Sequence, residues 1–139
     1  MKRKLHDQKG VAAVEFALIL LPLVLLIFGA IEFTTALYDK AVITNASREG
    51  ARVGIVFNNG TPVSDGEITN AVNTYCSDHL ISFGGPSTVS TEIVRGGDTT
   101  GSPLTVRVNY TYNFLVLPNF IATLGSGITM QAETVMRKE

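Results

Sequence analysis

The chain of 139 residues has one cysteine, Cys76, and no tryptophan. A lone thiol rules out an internal disulfide, so any folded portion must be held by packing alone. The thiol either pairs between chains or stays buried, and its place on an apolar helical face favours burial. Catalytic punctuation is also missing: there is no G-x-S-x-G, no phosphate-binding loop and no zinc-ligand spacing. The formal net charge is −1, which gives no basic footprint for nucleic acid. Most telling is a local lack of charge: Phe16 to Ile31 is a run of sixteen residues with none.

That run is part of a longer apolar stretch. Val11 to Ile31 is 21 residues, about 31 Å as a helix at about 1.5 Å per residue, which matches a hydrocarbon core of about 30 Å. The first ten residues hold Lys2, Arg3, Lys4 and Lys9 against Asp7, a net of +3, and the remainder carries −4. A basic flank ahead of a first apolar segment keeps the N-terminus cytoplasmic and sends the body across the membrane. A secretory signal peptide is the rival reading, but its apolar region is about 7–15 residues and ends in a small-x-small site. Here Gly29-Ala30-Ile31 runs straight into Glu32-Phe33. The expected division is a leader over 1–10, a transmembrane helix over 11–31 and an extracytoplasmic domain over 32–139.

One charge interrupts the apolar stretch near its start. Glu15 lies five residues after Gly10, and a charge in hydrocarbon costs about 2.5–3.5 kcal/mol on insertion scales. A new N-terminal amine at Val11 would neutralise it. Trimming between Gly10 and Val11 is the logic of a prepilin, a membrane-held subunit later passed into a filament. Glycine also lets an extended backbone enter a protease cleft. The competing readings are a plain helix-boundary glycine and a carboxylate that snorkels to the interface.

Beyond Ile31 the helical pattern continues. Phe33, Ala36, Leu37, Ala41, Ile43, Ala46, Gly50, Val53 and Gly54 recur at three- and four-residue steps, while Asp39, Lys40, Arg48, Glu49 and Arg52 fill the other faces. The pattern predicts one helix from Val11 to Val56, kinked by Pro22, which removes a backbone hydrogen bond. Gly50 and Gly54 each cost about 1 kcal/mol against Ala in a helix, so close approach of another element is expected there. Asn58–Pro62 reads as a loop. Ser64-Asp65-Gly66-Glu67 has capping-box spacing and opens a second helix ending near Leu80, with Ile68, Ala71, Val72, Tyr75 and Cys76 on one face. Period-two alternation follows: a strand over Thr88–Arg95, a sharply alternating one from Leu104 to Val116, and a third over Ile128–Arg137. Pro118–Leu124 reads as a helical turn. The fold class is α+β: a long N-terminal transmembrane helix running into a small outer domain with a second helix and a three-stranded antiparallel sheet.

Three stretches resemble the TadE-like family, the minor pilin-like proteins of tight-adherence (Flp-type, type IVc) pili. They are Gly10-Val11-Ala12-Ala13-Val14-Glu15-Phe16-Ala17-Leu18 with Pro22 downstream; Ile31-Glu32-Phe33 followed by Asn45-Ala46-Ser47-Arg48-Glu49-Gly50-Ala51-Arg52; and Glu133-Thr134-Val135-Met136-Arg137. The resemblance implies a pilin-like protein cut by a prepilin peptidase between Gly10 and Val11. Glu15 and Phe16 would serve subunit docking, and Arg48, Glu49 and Arg52 would be the signature cluster just outside the membrane. It further implies a role in pilus assembly, adhesion and biofilm formation. The implied partners are the major Flp-type pilin, other minor pilins, the inner-membrane assembly platform and membrane lipid. The TadG-like proteins share the N-terminal pattern but usually carry a much larger outer domain.

Two other functions compete. One is a single-pass, membrane-anchored binding module that never enters a filament. The other is an enzyme built on Cys76 and His79, three residues apart on the second helix. A thiolate nucleophile needs its base oriented by a third group, and a metal site needs three or four ligands. The only other histidine, His6, lies in the leader. No cofactor, metal or catalytic residue is therefore expected. Asn45-Ala46-Ser47 and Asn109-Tyr110-Thr111 match the glycosylation acceptor pattern and are read as chance.

Overall fold

The computed structural model describes residues 8–82, 88–114 and 127–139. Helix α1 (Gln8–Gly54) runs 47 residues without a break, with Pro22 inside it, giving a rod about 70 Å long at about 1.5 Å per residue. It stops two residues before Val56, where Ile55 N–H closes the last turn on the Ala51 carbonyl at 3.0 Å. The segment read as a loop contains a small hairpin, β1 (Phe57–Asn58) against β2 (Thr61–Pro62). Its turn is Asn59-Gly60 with φ of 51° and 81°, the left-handed pair that two-residue hairpins require.

Helix α2 (Asp65–His79) starts on a complete capping box: the Ser64 hydroxyl accepts from Glu67 N–H, and the Glu67 carboxylate accepts from Ser64 N–H. Its buried residues are Ile68, Val72 and Cys76. The sheet has the order β3 (Val89–Arg95), β4 (Pro103–Tyr112), β5 (Ile128–Arg137), all antiparallel. Strand β4 sits in the centre because it alternates most cleanly. Leu104, Val106, Val108, Tyr110 and Tyr112 are buried on one face. On the other face Arg107 stands between Glu92 of β3 and Glu133 of β5 and pairs with both. Cross-strand pairs of this kind contribute about 0.2–1 kcal/mol each and hold the register. Val116, where the strand was expected to end, and the helical turn over Pro118–Leu124 lie outside the described residues.

Helices α1 and α2 cover the apolar face of the sheet, and the core forms where they meet β4. The face of α1 turned to this core differs from the expected stripe. Phe33 and Leu37 are 64% and 56% exposed, and Ala41 is exposed as well. The buried line is Glu32, Thr35, Ala36, Asp39, Val42, Ile43, Ala46, Ser47, Gly50, Ala51 and Gly54. Asp39, assigned from the pattern to a solvated face, is fully buried. The backbone approach at the far end decides the rotation. A Cβ on Gly50 would sit 2.6 Å from Val72 Cγ2, and one on Gly54 would sit 2.6 Å from Ile68 Cδ1 and still closer to Leu104 Cδ2. Only glycine lets α2 and β4 close on α1 there.

Gly54→Ala therefore sets a helix-propensity gain of about 1 kcal/mol against overpacking of about 1–3 kcal/mol. The full chain in detergent should melt several degrees lower. Gly66→Ala, whose Cβ would meet only Ser64 Oγ at 3.9 Å, should leave the melting temperature unchanged or raise it; equal behaviour of the two variants would contradict the packing account.

Candidate functional site

Two regions carry the residues singled out from the sequence. The first is the N-terminal half of α1. Val11, Phe16 and Leu18 are 58%, 65% and 75% exposed, and every residue from Gly10 to Val24, Pro22 included, is exposed. Gly10 has nothing near the position a Cβ would take. Glu15 borders a shallow groove with Gly10, Val11 and Val14. Val11 and Glu15 are four residues apart and so share a helix face. Gly10–Gly54 is long and apolar enough to cross a membrane, and its apolar half lies outside the core formed by the described residues.

The second region is where α1 meets the sheet. Glu49 and Arg52 pair with each other on the surface at 2.5 Å, a contact worth about 0.2–0.5 kcal/mol, and Arg48 is exposed nearby. Lower down, Glu32, Thr35 and Asp39 face the sheet from α1 and are buried. The Asp39 carboxylate accepts from Ile81 N–H at 3.0 Å. The Tyr110 hydroxyl lies beside it, and the Tyr112 hydroxyl lies beside Glu32 and Thr35. Among the described residues, Asp39 Oδ2 and the Tyr112 hydroxyl find no partner in hydrogen-bonding geometry. Burial pushes the Asp39 carboxyl above its ordinary 3.8, against the Ile81 and Tyr110 hydrogen bonds that pull it down. Burial, with the charge of Asp39, pushes Tyr110 up to about 12. Sequence reading missed this cluster because it followed the apolar residues of α1. Stepping back from Gly54 and Gly50 through Ala46 and Ile43 in fours and threes would have reached Asp39 and Glu32.

Cys76 and His79 do not form a couple. Cys76 is 2% exposed, and burial pushes its thiol up to about 11, far from a reactive thiolate. The His79 ring stacks on Tyr75 at 4.4 Å, and its Nδ1 lies 2.9 Å from the Tyr75 carbonyl oxygen. Among the described residues no group of three His, Cys, Asp or Glu side chains could hold a metal ion.

The arrangement defines a class: one membrane-capable helix, continuous with a small α+β domain that packs on its outer half. Within that class, the family model described as TadE-like protein matches residues 10–52. The match covers the Gly10–Leu18 and Ile31–Arg52 stretches on which the resemblance was read, and it stops short of the third, Glu133–Arg137. Neither the curated proteins nor the solved structures provide a match.

A buried acid with a raised pKa holds its proton more tightly folded than unfolded, so stability falls as pH rises from the ordinary carboxyl value through the raised one. Asp39→Asn keeps the acceptor for Ile81 N–H and removes the ionisation. Denaturant midpoints of the full chain in detergent, measured from about pH 4 to pH 8, should fall with pH in the native protein and run flatter in the variant. Parallel curves would contradict a charge-burial cost at Asp39.

Proposed function

We propose that the chain is a minor pilin-like subunit of a tight-adherence (Flp/Tad) pilus, trimmed by prepilin peptidase between Gly10 and Val11. The observation that carries this reading is that Glu15 is exposed and is the one charge between Gly10 and Ile31, inside the segment that matches the TadE-like family. Trimming would create an ammonium at Val11, one helical turn below Glu15. The two charges neutralise each other within a chain or between neighbours, and the pair is far cheaper in low dielectric than either ion alone. The helix N-terminus adds favourable partial positive charge. Phe16 and the apolar face above it would pack against neighbouring helices once the subunit leaves lipid.

In this reading the protein resides in the inner membrane as a single span, N-terminus cytoplasmic and outer domain periplasmic or extracellular. It works in pilus assembly and surface attachment beside the major Flp-type pilin, other minor pilins and the assembly platform. Glu49 and Arg52 form one surface ion pair on the part of α1 that carries the outer domain, with Arg48 exposed beside them. The protein acts as a structural, non-enzymatic subunit.

Intact-mass analysis of the membrane-extracted protein should give a chain beginning at Val11 in cells that contain the peptidase. Glu15→Leu should reduce pilus incorporation by about tenfold or more, the equivalent of about 1.4 kcal/mol, with membrane levels unchanged. A persistent leader, with normal function of Glu15→Leu, would instead mark a permanent anchored binding module. Replacing both Cys76 and His79 by Ala should leave attachment intact; its loss in a folded, assembled variant would reopen the enzymatic reading.

A further inference from the structure

The apolar surface of α1 does not end where its uncharged sequence ends. Glu32 and Asp39 are the two carboxylates at this level of the helix, and both turn into the domain, at 3% and 0% exposure. The outward face from Phe16 to Tyr38 therefore carries no charge. At about 1.5 Å per residue it continues about 10 Å beyond Ile31. The added stretch presents Phe33, Leu37 and Tyr38, which are 64%, 56% and 44% exposed. The hydroxyl of the intervening Thr34 is spent on the Ala30 carbonyl at 2.8 Å, so that face presents almost no unsatisfied polar group.

The base of the outer domain lies at the same height. Ile81, 42% exposed, is tied by its N–H to Asp39. Ile128, 49% exposed, stands opposite Tyr112 in the sheet, and Tyr112 lies beside Glu32 and Thr35. The nearest cation on α1, Lys40, sits just above this band, half-buried, and its ammonium donates to the Gln131 carbonyl.

We infer that the base of the outer domain is seated in the headgroup layer of the bilayer, on an apolar collar formed by Phe33, Leu37, Tyr38, Ile81 and Ile128. This rests on the membrane-spanning reading of α1. The headgroup layer is about 5–7 Å deep on each side of the hydrocarbon core; with Ile31 at the edge of that core the collar begins inside this layer, about 3 Å out at Phe33, and reaches its outer margin at Leu37 and Tyr38, about 9–10 Å out. A tyrosine at this depth is in the interfacial belt that its half-polar ring favours. Lipid fits better than a second protein chain because of the layout. At 100° per residue Phe33 and Leu37 point away from the face of α1 that meets the sheet, whereas Ile81 and Ile128 belong to the domain on the other side. A helix alongside α1 would cover one set and leave the other wet. A plane across α1 meets both.

The absence of tryptophan makes the test direct, because each introduced tryptophan is the sole reporter. Full-length Leu37→Trp, Ile81→Trp and Ile128→Trp would be placed in phosphatidylcholine vesicles whose acyl chains are brominated close to the headgroup or close to the chain end. Leu26→Trp reports the span. Val135→Trp reports a site that is 57% exposed on the outer sheet face. The collar positions should lose most of their fluorescence to the shallow bromines, Leu26→Trp should lose it to the deep ones, and Val135→Trp should lose none. Quenching at Leu26 with Ile81 and Ile128 behaving like Val135 would overturn the seating and leave the span intact. No quenching at Leu26 would overturn the span reading itself. Blue-shifted but unquenched emission at Ile81 and Ile128 would show a protein partner in place of lipid, and would overturn the proposal as well.

Discussion

One helix has to satisfy two solvents. From Val11 to Ile31 α1 is apolar on every side but for Glu15 and long enough to cross a membrane, and its C-terminal half must pack on its own sheet while remaining tolerable to water elsewhere. Because the helix is unbroken from Gln8 to Gly54, both demands fall on a single element, and the side of it chosen for the sheet is carried along its outer half. Gly50 and Gly54 make that choice. They let Val72, Ile68 and Leu104 come against the backbone, and the 3.6-residue repeat then carries the same face back to Ala46, Ile43, Asp39 and Glu32. The acids are buried because the glycines are.

Burying acids is expensive, and the sheet offsets part of the cost. Tyr110 and Tyr112 are at the C-terminal end of β4 and bring two hydroxyls to the level of Asp39, Thr35 and Glu32, while Ile81 supplies a backbone donor just past α2. The opposite pole is treated differently. Lys138 is 2% exposed, and its ammonium donates to the Gly97 carbonyl and to Asp98. Its own N–H meets Ser102, and Glu139 N–H meets the carbonyl of Ile55. The end of β5 is thereby strapped across the top of α1. A domain this size without a disulfide depends on such closures, because its single core can bury little more than a few side chains from each element.

The elements were legible because their signals are local. The unbroken apolar run, the Ser64–Glu67 cap and the alternation that starts at Leu104 each belong to one element and appear where the pattern put them, except that the strand expected to reach Val116 stops at Tyr112, before Asn113 and Phe114. The face of α1 was not legible. Two apolar lines run along its outer half, one through Phe33 and Leu37 and one through Ile43 and Ala46, and nothing local ranks them. Only the close approach at Gly50 and Gly54, a tertiary fact, selects the second. The residues proposed for processing and docking were legible in another sense. Gly10, Val11 and Glu15 stand out through their mutual spacing and the cost of a charge in lipid, and the fold neither adds to nor subtracts from that reasoning, since every residue from Gly10 to Val24 is exposed.

The strap at Glu139 has a practical corollary. Ile55, to which it is bonded, is 23 helical positions above Glu32, about 34 Å along the axis. Glu139 is thus mounted on a mast at the pole farthest from where the polypeptide enters the domain. Anything joined to it, whether a fluorophore or a further stretch of polypeptide, is held clear of the buried acids and of the apolar rim, and reports on the surroundings of the tip.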